Sequence, residues 1–142
     1  EYLRERGDIF SHVFLTRVNV AHACIDTIVK CCPSARRIFY TVDLHFLRET
    51  REAELNDDDV LREKARQTEL IELALMDRVH TTILLSDAEK TLLEKRVKTN
   101  LDTLPLIRDI PETTATPFDE RTGVLFIGGF RFSTLDPSHA TP

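Results

Sequence analysis

Apolar positions in this chain come in two rhythms. Short apolar runs with β-branched and aromatic residues occupy Ile9–Leu15, Arg37–Val42, Val79–Leu85 and Gly123–Ile127, and a further short strand is read at Leu101–Leu104. Such runs, bounded by turn formers, predict buried strands. Between them lie longer segments in which apolar residues recur every three or four positions, as they do on a helix with one buried face. Val20, Cys24, Ile28 and Cys31 form the first such stripe, widened by Ala21 and Ile25. Asn19 is placed to cap that helix. Pro33 ends it, because the residue before a proline is pushed out of the helical region. A charged helix is predicted from Leu47 to about Leu55, with an interruption at Asn56-Asp57-Asp58. Asp58 or Asp59 caps a longer one reaching about Arg78. On it Leu61, Ala65, Thr68, Ile71 and Leu75 line one face, and Arg62, Glu63, Arg66, Glu69 and Glu72 read as solvated. Ser86 and Glu89 have capping-box spacing ahead of a helix to about Lys95, with each side chain serving the other's amide. Tyr2–Arg6 reads as the tail of a helix, with Gly7 as its stop.

The order is therefore strand, helix, strand, helices, strand, helix, strand, and a further strand after an aperiodic stretch. That alternation predicts an α/β fold: a Rossmann-like open parallel sheet with right-handed crossovers and helices on both faces. Residues 1–110 are expected to form the first domain. Residues 111–122, rich in Thr, Pro and Glu, read as a linker. Residues 123–142 would begin a second domain, with one strand and, from Arg131, a tail expected to be disordered. The chain opens without Met, in what reads as the middle of a helix, so a fragment of a longer protein is expected.

Composition narrows the function classes. The 142 residues carry a net charge of −5, which argues against a nucleic-acid binder, whose footprint is usually basic. No apolar run approaches the roughly 20 residues of a transmembrane helix, and no signal peptide opens the chain. Cys24, Cys31 and Cys32 are odd in number and include an adjacent pair. Small buried thiols in a reducing, cytoplasmic setting are expected rather than a disulfide framework. The five histidines are scattered with no pair four residues apart, and no Gly-x-Ser-x-Gly elbow is present. No metal site and no cofactor are expected.

The candidate chemistry clusters at predicted strand ends. Asp43 and His45 follow the C-terminal end of the Arg37–Val42 strand, the edge where open α/β sheets bind ligands. Arg17 and Ser86 stand at neighbouring strand ends. Gly128 and Gly129 follow the last strand directly, where glycine lets the backbone approach a phosphate closely. Each has a plainer reading. Asp43 can cap the following helix while His45 fills the turn, Ser86 can be a cap alone, and His12 can be a core or interface histidine.

Thr41-Val-Asp-Leu-His-Phe-Leu-Arg-Glu-Thr-Arg-Glu-Ala-Glu-Leu55 resembles a segment of the bacterial group 1 glycosyltransferases of two-Rossmann (GT-B) architecture. Arg17-Val-Asn-Val20, Leu85-Ser-Asp-Ala-Glu89 and Leu125-Phe-Ile-Gly-Gly-Phe130 fall in the matching order. The resemblance spans roughly Tyr2 to Phe130. It implies the second half of an acceptor-side N-terminal domain, the interdomain linker and the first strand of the nucleotide-sugar domain. It further implies a nucleotide-sugar donor, a glycan or lipid-linked acceptor, and peripheral association with a membrane. His45 and Asp43 would then be catalytic, and Arg17, Ser86, Gly128 and Gly129 would bind substrate. This chain alone would be inactive. The competing reading is a non-catalytic receiver-like or interaction module in which Asp43 imitates a phospho-acceptor.

Overall fold

In a computed structural model of the chain, four short strands lie side by side in the order in which they occur. The structure describes residues 1–107 and 116–123. Two compact units divide the chain, Glu1–Arg108 and Asp109–Pro142. The first unit holds helix α1 (Tyr2–Arg6), strand β1 (His12–Thr16), helix α2 (Val18–Cys31) and strand β2 (Arg36–Tyr40). Helices α3 (His45–Asn56) and α4 (Asp59–Met76), strand β3 (Thr81–Leu84), helix α5 (Asp87–Leu93) and strand β4 (Asn100–Thr103) complete it. The sheet order is β1-β2-β3-β4, and every pairing is parallel. This is the open, Rossmann-like α/β sheet that the alternation of elements predicts. In the second unit the described part contains a single 3-10 turn, Phe118–Glu120, beside which the Arg121 Nε–H donates to the Thr116 carbonyl at 2.7 Å. The predicted strand from Gly123, with Gly128 and Gly129, and the tail from Arg131 lie outside the described residues, as does most of the predicted linker.

The strands alternate as a sheet with one well-covered face should. Leu15, Phe39, Thr82 and Leu101 are register partners across the four strands, and the first three are buried. They form the floor of a core completed by Val18, Ala21, Ile25 and Ile28 of α2, Phe46 of α3, Leu75 and Met76 of α4 and Leu93 of α5. The other face is covered less. There Phe14 is 58% exposed, and Ile38, Tyr40 and Ile83 are half-buried.

Several element boundaries differ from expectation, each for a local reason. The first strand starts at His12, not Ile9, because Gly7–Ile9 form a 3-10 turn. Gly7 is not a left-handed helix stop; it is right-handed, at φ −64°. It is glycine because a Cβ there would stand 1.8 Å from the Cys31 carbonyl oxygen. Helix α2 begins at Val18, so Asn19 lies inside its first turn and Arg17 is the residue at the cap. Its buried stripe is Val18, Ala21, Ile25 and Ile28, while Val20 is exposed and Cys24 and Cys31 are half-buried. All three thiols are free. His12 is exposed, not a core histidine. The α3–α4 hairpin turns at Asp57, which takes the left-handed conformation that Asp tolerates, and the Asp58 carboxylate caps α4 by accepting from the Val60 and Leu61 amides.

Candidate functional site

Two backbone distortions mark the C-terminal edge of the sheet. Arg17, the residue after β1, has φ 63° and ψ 130°, and Val42, two residues after β2, has φ 67°. Neither is glycine, and Val is β-branched, so both conformations are disfavoured, at about 1–3 kcal/mol each. Strain of this size persists only where the surroundings over-determine it. Here β1 and β2 both end in a sharp change of direction, held by Arg17 N–H on the Tyr40 carbonyl and Thr41 N–H on the Ile83 carbonyl.

The chain then enters Asp43, Leu44 and His45. His45 is the first residue of α3, two residues earlier than the pattern predicts. The reason is Glu72. Leu44 sits at the cap and has no side chain able to accept the first amides of the helix. The Glu72 carboxylate reaches across from α4 instead. One oxygen accepts from the His45 amide at 3.4 Å and the other from the Phe46 amide at 3.1 Å. Glu72 is 0% exposed, so it is not part of a solvated face. Burial pushes its carboxyl above the ordinary value, and the nearby Asp43 charge adds to that. The two amide bonds and the positive charge of His45 oppose it. The plainer reading of Asp43 as the cap of this helix is therefore incorrect, since Glu72 fills that role.

Relieved of capping, Asp43 faces an arginine and an imidazole. Its Oδ2 lies 3.1 Å from Arg48 Nη1, and its Oδ1 lies 3.5 Å from His45 Nδ1. The Asp43 carbonyl also lies 3.3 Å from that nitrogen. Both neighbours of Nδ1 are acceptors, which places the ring hydrogen on Nδ1 and leaves Nε2 as the basic nitrogen of the neutral ring. The His45 side chain is 15% exposed, so the ring borders the surface. The structure thus builds a carboxylate–imidazole pair, with an arginine on the far side of the carboxylate. A pair of this kind can take a proton from a hydroxyl or return one.

Arg17, Asp43 and Ser86 all stand where they were expected, beyond the C-terminal ends of β1, β2 and β3. Only Asp43 and His45 are brought into direct contact. Arg17 is exposed at the turn. The Ser86 hydroxyl accepts from the Glu89 amide at 3.3 Å, and the Glu89 carboxylate takes the Leu85 amide at 3.0 Å, one residue earlier than the expected reciprocal bond to Ser86. Gly128 and Gly129 fall outside the described residues. Among the described residues no group of three His, Cys, Asp or Glu side chains is arranged to hold a metal ion. Likewise no described helix is long and apolar enough to cross a membrane. An open hollow of about 570 Å³ lies elsewhere, lined by Arg4, Gly7, Lys30, Cys31 and Pro33. It contains none of the candidate residues.

Sequence reasoning missed Glu72 and Arg48. The signal for Glu72 was its position: Ala65, Thr68, Glu72 and Leu75 follow one another at steps of three, four and three, so a carboxylate stands in the buried stripe of α4. No protein-family model, no curated protein and no solved structure matches this chain.

Proposed function

We propose that this chain is the acceptor-side part of a cytoplasmic glycosyltransferase, in which His45 acts on the hydroxyl that receives the sugar. One observation carries the reading: a half-buried imidazole at the C-terminal edge of a parallel sheet, with Nδ1 turned to Asp43; Nε2 would then serve the acceptor hydroxyl. Asp43 orients the ring and balances the charge it gains on protonation. Arg48 holds Asp43 from the other side, 3.1 Å away. Glu72 fixes the backbone on which His45 and Phe46 sit. Arg17 and Ser86 border the same edge and would bind acceptor hydroxyls. The donor would be a nucleotide sugar and the acceptor a glycan or lipid-linked glycan, with peripheral membrane association. Gly128 and Gly129 would approach the donor phosphates.

The receiver-like alternative gains less support. It asks Asp43 to stand in a cluster of carboxylates, whereas Asp43 is engaged by Arg48 and His45.

The test is sugar transfer from UDP- and GDP-sugars by the full-length protein containing this chain, wild type against His45→Ala, with the melting temperature measured in parallel. Loss of a proton-transfer group is expected to lower turnover about 100- to 1,000-fold while the fold survives. A variant that melts early yet turns over normally per folded molecule would reduce His45 to a structural residue. Absence of transfer by the wild type with any such donor would reject the reading itself.

A further inference from the structure

The opposite edge of the sheet carries a second arrangement, independent of the transfer reading. Arg36 opens β2, and His80 immediately precedes β3. His80 and Arg37 are tied together by their backbones and by the imidazole. The His80 amide donates to the Arg37 carbonyl at 3.0 Å, and the Arg37 amide donates to His80 Nδ1 at 2.9 Å. A backbone amide has only a hydrogen to offer, so Nδ1 must be an acceptor. The ring hydrogen of the neutral form is therefore on Nε2, the nitrogen on the far side from the backbone. The side chain is exposed. Arg37 is also fixed, by its Nε–H on the Arg78 carbonyl at 3.1 Å, and its terminal nitrogens have no hydrogen-bond partner among the described residues.

We propose that Arg37 and His80, with the charge of Arg36 next to them in β2, bind a doubly charged tetrahedral oxyanion, of the kind presented by inorganic phosphate or a phosphate monoester. The donors suit that ligand. A guanidinium offers a planar fork that grips two oxygens of one phosphoryl group, and an imidazole N–H takes a third. The charge suits it as well. Among the described residues, neither Arg36 nor Arg37 forms an ion pair. Of the carboxylates on the packed elements, Asp26 of α2 is paired with Arg78 at 2.6 Å, and Asp77, after α4, accepts from the Lys98 amide at 2.7 Å and offsets part of the positive charge at this edge. Lys98, just before β4, adds another cation to this edge. Partial desolvation lowers the His80 pKa, and the positive charges of Arg37 and Arg36 lower it further, against the bond from the Arg37 amide, which raises it. A chain of net charge −5 therefore concentrates mutually repelling cations at one strand end. A dianion would relieve that repulsion, and a monoanion would relieve it only in part. Four strand steps of about 3.3 Å separate Arg36 from Tyr40, so this edge lies more than about 13 Å from Asp43 and His45.

Linkage gives the test. An anion that relieves the repulsion must raise the His80 pKa, and protonated His80 must in turn bind the anion more tightly. The five histidines of the chain are followed by nuclear magnetic resonance through a pH titration, in sulfate and in chloride of equal ionic strength. Sulfate keeps its double charge over the whole range and stands for the phosphoryl group. In chloride His80 is expected to titrate below an ordinary histidine. In sulfate it should rise by about half a unit or more, and the other histidines should not follow it. Arg37→Gln should raise the His80 pKa in chloride and abolish the sulfate response. Arg36→Gln, at an exposed position that leaves the fold intact, should weaken the response. A His80 titration identical in the two salts overturns the proposal. So does an equal shift of all five histidines, which would be simple screening, or a response that survives both substitutions.

Discussion

Replacing Glu72 by alanine removes what is, among the described residues, the only side-chain acceptor at the start of α3. The consequence can be worked from the geometry. Two amides, those of His45 and Phe46, lose a partner in a place where the carboxylate is 0% exposed. Leaving a buried donor unsatisfied costs about 1–3 kcal/mol, so the pair costs about 2–6 kcal/mol before relaxation. Deleting a buried carboxylate returns its desolvation penalty, which is the largest influence on its pKa and works against the charged form. The net loss is expected to be about 2–4 kcal/mol, a fall in melting temperature of about 5–15 °C for a chain of this size. Urea and thermal unfolding followed by circular dichroism measure it.

Glu72→Gln separates the charge from the shape. The folded-state pKa of Glu72 is raised above its ordinary value of 4.5. Its contribution to stability is therefore fully present below that ordinary value. It is lost as pH rises through the raised folded-state value, because the unfolded chain gives up the proton first. The glutamine variant has no such proton to lose. The advantage of wild type over Glu72→Gln should shrink as pH is raised through this window and level off above it. An advantage that instead grows with pH would mean that the two amides outweigh burial and hold the folded-state pKa of Glu72 below its ordinary value. A loss under about 0.5 kcal/mol for Glu72→Ala would mean that water or another group caps α3 as well as Glu72 does.

Two further substitutions test how the frame is held. Gly7→Ala would drive a Cβ into the Cys31 carbonyl at 1.8 Å, and should cost about 3 kcal/mol on unfolding in urea; an unchanged midpoint would show that α1 swings aside freely. Arg17→Gly relieves an exposed residue held at φ 63° and should raise stability by about 1 kcal/mol; a loss of stability would reveal a guanidinium contact that matters more than the backbone.

The alternation of strands and helices was legible because β1, β2 and β3 lie in short apolar runs and the longer helices between them carry their own stripes. Asp58 was legible for a similar reason: a short acceptor side chain ahead of a periodic run has one obvious use. The start of α3 was not. Leu44-His45-Phe46 contains no capping residue, and the group that supplies the cap lies 26 residues beyond Phe46 on another helix. Tertiary capping leaves no local trace. The stripe of α2 was placed about one residue out of phase because Val20, Cys24 and Cys31 are as apolar as the residues that are buried, and only the docking of α2 on the sheet selects among them. The candidate pair was visible as two ionisable residues past a strand. Its tautomer and its partner Arg48 needed coordinates, since they depend on how sharply the backbone turns at Val42.

The unbroken strand order has a kinetic meaning. In many open sheets a strand must be inserted between two others, or the chain must return to an edge left behind earlier. Here each new strand adds to the one made immediately before it. As the chain leaves the ribosome, β2 finds β1 already present, β3 finds β2, and β4 finds β3. No partner has to wait for a distant segment, and the longest closure is the α3–α4 excursion between β2 and β3. Loop closure therefore stays inexpensive at every step, and the growing edge is occupied soon after it forms. The same logic leaves β1 as an edge that no later strand among the described residues revisits. Phe14 of β1, on the less covered face of the sheet, is still exposed once all four strands are in place.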